Sequence, residues 1–155
     1  MAVVLRTAAA SPQRTGPWDS PKVEAFLAHE VIPVRVATTG RTGAMVQSMW
    51  FDYRDGFIWC STQADSSLLR RLRHDPRAGF EVAPDAAPYH GVRGRALVEI
   101  VHVGAAEVLN RLIDKYLDDP SANLARWMRS RQTTEVALRL NPLTMHSWDY
   151  SARLP

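Results

Sequence analysis

Hydrophobic residues recur at helical spacing in four segments of the chain, and these segments predict four helices. Ser20 supplies an N-cap for the first helix, and Pro21 behind it is a favoured first helical residue. Asp75-Pro76 ends the second helix, since a residue before proline avoids the helical region, and Asp118-Asp119-Pro120 ends the third. The apolar faces are Val23, Phe26 and Leu27; Leu68, Leu69 and Leu72; Val108, Leu109, Leu112 and Ile113; and Leu124, Trp127 and Met128.

Alternating and β-branched segments predict six or seven strands around these helices. The Asp55-Gly56 pair is a strong hairpin signal between two of them, at 45–53 and 57–62. The other predicted strands are 32–38, 78–83, 91–103, 136–140 and 145–150. Strands in hairpin order with a few helices favour a mainly β protein with flanking helices, in which an antiparallel barrel closes to remove its edges.

The length and composition are those of one ordinary globular domain. The chain of 155 residues contains 46% apolar and 23% charged residues, which suffices for a core without disulfides or a structural metal. Residues 7–17 lack periodicity, so residues 1–18 are expected to form an irregular N-terminal arm of a single domain at 1–155. No apolar run reaches the length of a secretory signal or a membrane span, so a cytoplasmic protein without membrane contact is expected.

The charge and cysteine content argue against nucleic-acid and metal binding. Much of the basic excess behind the net charge of +3 lies at 70–77 and 126–131, whereas a nucleic-acid binder needs a broader basic face with aromatic platforms. The single cysteine, Cys60, cannot form an internal disulfide and is expected to be a small buried apolar residue. The five histidines are scattered, so no metal site is predicted.

One strand-to-helix turn combines hydroxyl groups with arginines. Ser61-Thr62 ends a strand, Ser66-Ser67 opens the second helix, and Arg70-Arg71 follows one turn later. A helix N-terminus presents unpaired N–H groups and a partial positive charge, which together with hydroxyl and guanidinium groups suit a phosphate monoester. The alternative is that Ser66 or Asp65 is only an N-cap and that the arginines form a solvated face.

The order of elements between Val34 and Pro76 resembles a known family. A strand and a Gly40–Gly43 turn lead to a Trp-bearing strand, and the Asp55-Gly56 turn leads to a second strand and the Ser- and Arg-bearing helix. This order resembles the pyridoxamine 5'-phosphate oxidase-like split β-barrels, which are mostly dimeric flavin or deazaflavin binders. The resemblance implies an antiparallel split β-barrel and a homodimer with a cofactor at the subunit interface. The Gly-containing strand start at 88–96 matches the family segment that supports the dimer.

The resemblance also implies a set of cofactor-binding residues. In the family, the strand-to-helix turn grips the cofactor phosphate, and a flat ring needs an apolar slot with backbone donors. Carried over residue by residue, the implied set is Arg35, Thr38, Gln47, Ser48, Trp50, Ser61, Thr62, Ser66, Ser67, Arg70 and Arg71.

Two positions depart from the family pattern. Leu68 stands where many relatives carry a lysine early in the helix, and Ser48 stands where a proline often precedes the tryptophan. Three interpretations of Leu68 stay open. Arg70 or Arg71 supplies the missing charge while Leu68 packs inward, or Leu68 faces an anion site that has lost its cation, or the protein uses no cofactor.

The function implied by the resemblance is that of an FMN-binding oxidoreductase that transfers hydride to or from a small organic molecule. The deazaflavin coenzyme is the alternative cofactor. A non-catalytic cofactor-binding protein and a cofactor-free structural dimer are the competing functions, because a fold does not decide a reaction. His90 is a candidate proton donor or an ordinary loop histidine, and no residue is assigned to catalysis.

Overall fold

The computed structural model describes residues 11–154. The strands are β1 (Gln13–Thr15), β2 (Val34–Gly40), β3 (Gly43–Met49), β4 (Asp52–Arg54), β5 (Phe57–Gln63), β6 (Arg77–Val82), β7 (His90–Val101) and β8 (Glu135–Asp149). The α-helices are α1 (Ser20–His29), α2 (Ser67–His74), α3 (Ala105–Tyr116) and α4 (Asn123–Ser130). All four predicted helices are therefore present, and none of the described helices is long and apolar enough to cross a membrane.

One mainly antiparallel sheet contains all the described strands. Its order is β3-β2-β6-β7-β8-β5-β4, and β1 pairs in parallel with β8. The sheet is not closed, because β3 and β4 lie at opposite ends of this order. Only Trp50-Phe51 separates them along the chain, so Met49 and Asp52 lie at most about 11 Å apart. The sheet must therefore roll to bring its two ends together. This confirms the prediction of a mainly β split barrel. The expectation that hydrogen bonds between the two end strands close the barrel is wrong.

The change of partner at Trp50-Phe51 corrects one predicted strand. The segment 45–53 is two strands, because β3 pairs with β2 and β4 pairs with β5. Side-chain alternation continues through both strands, so the sequence pattern cannot show where the partner changes. The hairpin at Asp55-Gly56 is confirmed, with φ angles of 54° and 81° in the left-handed region that such turns require.

The last two predicted strands are one strand, β8, of 15 residues. Pro142 suggests an interruption, since proline cannot donate to a ladder. The register with β7 shifts at this point, where Arg95 pairs with Thr144 and Ala96 pairs with Pro142, so that Leu143 is an extra, bulged residue. The bulge lets β8 continue and pair with β5, β7 and β1.

The N-terminal segment also differs from its prediction. The arm expected to be irregular at 1–18 contains the strand β1, and its first ten residues lie outside the described part of the chain. The N-cap of α1 is Asp19 rather than Ser20, because the Asp19 carboxylate accepts a hydrogen bond of 2.9 Å from the Lys22 backbone N–H.

The main core lies inside the rolled sheet, under α1 and α2. Leu68, Leu69 and Leu72 of α2 are at most 3% exposed and pack in this core. A second apolar layer lies on the other face of β5 and β8, where α3 packs Val108 and Leu112 against Ala137. Leu68 therefore packs inward, as one interpretation of the sequence expected.

The C-terminal end of α3 contacts Trp50-Phe51, where the chain crosses from one edge of the sheet to the other. Tyr116 stacks on Trp50, with ring centroids 5.0 Å apart and 4° between the planes. Its hydroxyl donates to the Ile32 carbonyl at 2.8 Å and accepts from the Phe51 N–H at 3.2 Å. Burial raises the pKa of Tyr116 to about 12, so the hydroxyl stays protonated. Lys115 donates to the Phe51 carbonyl at 2.9 Å. Both backbone groups of Phe51, its N–H and its carbonyl, are thus hydrogen-bonded to side chains of α3.

Replacement of Tyr116 by phenylalanine tests this attachment. Tyr116→Phe keeps the stacking on Trp50 but leaves the Phe51 N–H and the Ile32 carbonyl without their partner, so we expect a loss of about 1–3 kcal/mol in unfolding free energy. Urea denaturation measures it. Tyr89→Phe is the matched control, because Tyr89 is 53% exposed and its replacement is expected to change little. Equal stability of both variants would show that the crossing does not depend on these hydrogen bonds.

Substitution of Leu68 by lysine tests the inward packing. Leu68 is 1% exposed, so Leu68→Lys buries an ammonium group and is expected to cost about 2–5 kcal/mol of stability. Leu124→Lys on α4 is the control, since Leu124 is 46% exposed. Thermal melting distinguishes them. A Leu68→Lys protein with unchanged melting temperature and tighter FMN binding would mean that the side chain faces an anion site instead.

Candidate functional site

The gap between the two sheet ends forms a cleft, which we call the seam cleft. It lies where β5 extends beyond the short β4 and faces the outer edge of β3, and its volume is about 300 Å³. Its lining residues are Gln47, Ser48, Met49, Trp50, Ser61, Thr62, Leu68, Leu109, Leu112, Met128 and Glu135. The walls are thus formed by β3, β5, the start of β8 and the Trp50 crossing, together with residues of α2, α3 and α4.

Strand edges give the seam cleft a polar backbone surface. Among the described strands, β3 pairs only with β2, and the 60–63 part of β5 pairs only with β8. Backbone groups on the facing edges therefore have no ladder partner. The Gln47 Oε1 atom is buried and has no hydrogen-bond partner among the described residues. A planar ligand with an apolar face and a polar rim would satisfy both kinds of surface.

A carboxylate at the start of β8 lies on the β5 wall of the cleft. Glu135 accepts hydrogen bonds from the Ser61 hydroxyl and from the Gln63 side-chain amide. The Gln63 amide is held in turn, because its Oε1 accepts from the Thr134 hydroxyl at 2.6 Å. Sequence reasoning missed Glu135. Only the pairing of β5 with β8 places Glu135 opposite Gln63, and these two residues are far apart in sequence.

A second cavity, the arginine pocket, lies along one face of α2 beside the β2–β3 turn. Its volume is about 370 Å³, and its lining residues are Thr39, Gly40, Arg41, Ser67, Arg70, Arg71 and His74. The predicted set lacked Arg41, which lies in the β2–β3 turn. Three guanidinium groups and a helix start suit a phosphate or another anion.

Backbone contacts hold two of these arginines in place. Arg71 donates to the Gly43 carbonyl at 3.0 Å, and Arg70 donates to the Asp65 carbonyl at 2.7 Å. Gly40 makes room for the first of them, since a Cβ built there would lie 2.7 Å from the Arg71 Cζ atom. The Arg71 guanidinium is therefore held between the β2–β3 turn and α2 by contacts within the chain.

The two cavities are neighbours along both α2 and β3. Ser67 lines the arginine pocket, and the next residue, Leu68, lines the seam cleft. Along β3, the Gly43 carbonyl that holds Arg71 and the Gln47 residue of the cleft are about 13 Å apart, at four strand steps. This spacing suits a ring joined to an anionic group by a chain of several atoms.

The structure places the predicted site residues in several groups. Gln47, Ser48, Trp50, Ser61 and Thr62 line the seam cleft, and Ser67, Arg70 and Arg71 line the arginine pocket, which together make eight of the eleven predicted residues.

The other three predicted residues lie outside both cavities. The Ser66 hydroxyl caps α2, since it accepts from the Leu69 N–H at 3.1 Å. Thr38 is 3% exposed on the inner face of β2. Arg35 lies on the outer face of the sheet, where it donates to the Asp85 carboxylate at 2.8 Å. Whether any of the predicted residues binds a cofactor stays a prediction.

The remaining candidate groups lie elsewhere or are inert. His90 packs against the rings of Trp18 and Phe26, with centroids 5.9 Å away from each, and lines neither cavity. Cys60 is buried, and burial raises the pKa of its thiol to about 12, which makes it unreactive at neutral pH. Within residues 11–154, no group of three or more His, Cys, Asp or Glu side chains is placed to hold a metal ion.

Comparisons with known proteins agree with this architecture. No protein-family model and no curated protein matches the sequence. A conserved hypothetical protein, Rv2991, from Mycobacterium tuberculosis is similar in structure, with 23% identity, 94% of each chain covered and a TM-score of 0.76. An F420 reductase has 22% identity, covers 77% of this chain and 92% of its own, and has a TM-score of 0.62.

A third similar structure carries the name of the family inferred from the sequence. It is a candidate pyridoxamine 5'-phosphate oxidase from Listeria innocua, with 8% identity, 82% of this chain and 95% of that chain covered, and a TM-score of 0.65. Identities this low establish the fold alone. The chain has the split-barrel fold of the pyridoxamine 5'-phosphate oxidase-like proteins.

Proposed function

We propose that this protein binds FMN or the deazaflavin coenzyme and serves as an oxidoreductase for a small organic molecule. The ring occupies the seam cleft, and the phosphate occupies the arginine pocket. The observation that carries the proposal is that the two cavities adjoin at the start of α2, where Ser67 lines the arginine pocket and Leu68 lines the seam cleft. An apolar slot with unpaired strand edges suits the ring, and three arginines suit the phosphate.

The arginine pocket supports the interpretation in which arginines supply the charge that the lysine at the Leu68 position would provide. A lysine at that position would supply the charge for the phosphate in related proteins, but here Leu68 packs in the core. Arg71 lies one turn later, is seated by Gly40 and Gly43, and faces a pocket shared with Arg70 and Arg41. This arrangement supports a phosphate site whose positive charge lies one turn later on the helix, and it favours a cofactor-binding protein over a cofactor-free dimer.

In this proposal, the residues of the chain bind and orient while the cofactor ring supplies the hydride chemistry when bound. Apolar side chains from α2 and α3, Leu68 and Leu112 among them, exclude water from the ring. Strand-edge backbone groups and Gln47 bind its polar rim, and the arginines hold the phosphate. The F420 reductase among the similar structures supports the deazaflavin alternative, because F420 is the deazaflavin coenzyme.

We further propose a homodimer through the outer face of the sheet. A groove of about 530 Å³ crosses this face, and Arg35, Ala37, Val46, Glu81, Arg93 and His146 are among its lining residues. Val46, Leu97 and Leu143 are 64%, 42% and 44% exposed there. The groove borders the seam cleft, since Arg35 in the groove pairs in register with Ser48 of the cleft. A second copy on this face would close one side of the cofactor site.

Alanine substitution of Arg71 tests the phosphate assignment. We expect Arg71→Ala to weaken FMN binding about ten- to a hundred-fold, because a charge-assisted contact is lost. Riboflavin, which lacks the phosphate, should bind both proteins alike. Arg73→Ala is the matched control, since Arg73 is an exposed residue of the same helix outside the pocket. Absorption and fluorescence titrations with FMN, riboflavin and the deazaflavin coenzyme give the affinities.

Other results of these titrations would count against the proposal. Equal losses for FMN and riboflavin would indicate a folding defect, and no loss for either would place the phosphate elsewhere. Failure of the unmodified protein to bind any of the three would remove the proposed function. Binding without turnover of the reduced cofactor would favour the non-catalytic alternative.

Introduction of a charge on the outer face tests the homodimer. Val46→Glu places a carboxylate in the groove, and we expect it to convert a dimer into a monomer at micromolar concentration in light scattering. Val31→Glu is the control, because Val31 is 55% exposed in the segment between α1 and β2 and lies outside the groove. A monomeric unmodified protein, or a dimer that tolerates the Val46 substitution, would contradict this interface.

A further inference from the structure

We propose that Glu135 makes the seam cleft selective for rings that present an N–H donor at their edge, such as an imide. The inference rests on the proposed function and specifies which edge of the ring enters the cleft. Glu135 is the only charged residue among the described residues that line the cleft. It is half-buried, so its carboxylate acts where water competes less than at the surface.

The hydrogen bonds around Glu135 fix it as an acceptor. Ser61 donates its hydroxyl proton to one carboxylate oxygen, and the Gln63 amide donates to the other. A carboxylate has about four acceptor positions, so each oxygen keeps capacity for a further donor. Since the Ser61 proton is already engaged, the Ser61 oxygen also offers lone pairs rather than a donor to a ligand. The side chains of Glu135 and Ser61 therefore present acceptors to a donor on the ligand.

The opposite wall of the cleft also carries an acceptor without a partner. Gln47 on β3 directs its Oε1 atom into a buried position where it meets no donor among the described residues. A buried carbonyl oxygen without a partner is costly, and a ligand N–H would remove that cost. Acceptors thus lie on both sides of the slot, at Gln47 on β3 and at Glu135 beside β5.

The charges of the two cavities orient an asymmetric ligand. The Glu135 carboxylate repels an anionic group from the seam cleft, whereas Arg41, Arg70 and Arg71 attract it to the arginine pocket. A ligand with a neutral ring at one end and a phosphate at the other is therefore bound in one direction. The chemical class that fits is a planar ring whose edge carries an imide N–H between two carbonyls, joined to an anion.

A methylated cofactor tests this selectivity. FMN and FMN methylated at the imide nitrogen differ only in the donor, and both keep the phosphate. We expect the unmodified protein to bind FMN at least about tenfold more tightly than the methylated form. In Glu135→Ala this preference should fall to about twofold or less. Glu107→Ala, at an exposed position in the first turn of α3, should keep the preference of the unmodified protein.

The outcomes separate the inference from the function on which it rests. Equal affinity of the unmodified protein for both ligands would overturn the donor selectivity while leaving Arg71-dependent FMN binding intact. A full preference retained in Glu135→Ala would assign the selectivity to other groups and overturn the role of Glu135. If the unmodified protein bound neither FMN nor the deazaflavin coenzyme, the proposed function itself would fail. Comparison within one protein cancels any general loss of stability, and a thermal melt verifies the fold of each variant.

Discussion

The architecture depends on one constraint, which is that two residues must connect the opposite ends of a seven-strand path. Trp50 and Phe51 cannot span an open sheet, so the sheet rolls until its ends meet. The ends meet without pairing, and α3 supplies the bonds that a ladder would otherwise provide. Tyr116 and Lys115 bind both backbone groups of Phe51, while the Tyr116 ring covers Trp50. Helix α3 thus fixes the crossing at a position where no strand pairing does so.

The same constraint generates the candidate site. Where β3 and β5 face each other without hydrogen bonds, backbone groups and the Gln47 side chain remain available to a ligand. The α2 helix places Leu68 at the cleft, and it places Arg70 and Arg71 in the pocket beside the β2–β3 turn. Site and fold therefore have a common origin, because a fully closed barrel would use these edges for its own pairing.

Local patterns predicted most elements, but they did not predict partners. Helical spacing located all four helices, and Asp55-Gly56 located its hairpin, because these signals depend on neighbouring residues. The partner change at Trp50-Phe51 and the continuation of β8 through Pro142 depend on strands distant in sequence. The site follows the same division. Most residues predicted from the local strand-to-helix motif line the two cavities, whereas Arg41 and Glu135 reach them only through the β2–β3 turn and β8.

The seam cleft is also the place where the hydrogen bonding of the sheet is interrupted. Strands within a ladder cannot separate without breaking hydrogen bonds, but among the described residues β3 and β5 share no ladder pairing. The width of the cleft is set by side-chain packing, by the Arg71 contact to Gly43 and by the attachment of Trp50-Phe51 to α3. A change in the width of the cleft therefore breaks no ladder hydrogen bond, whereas separation of strands within the sheet breaks several.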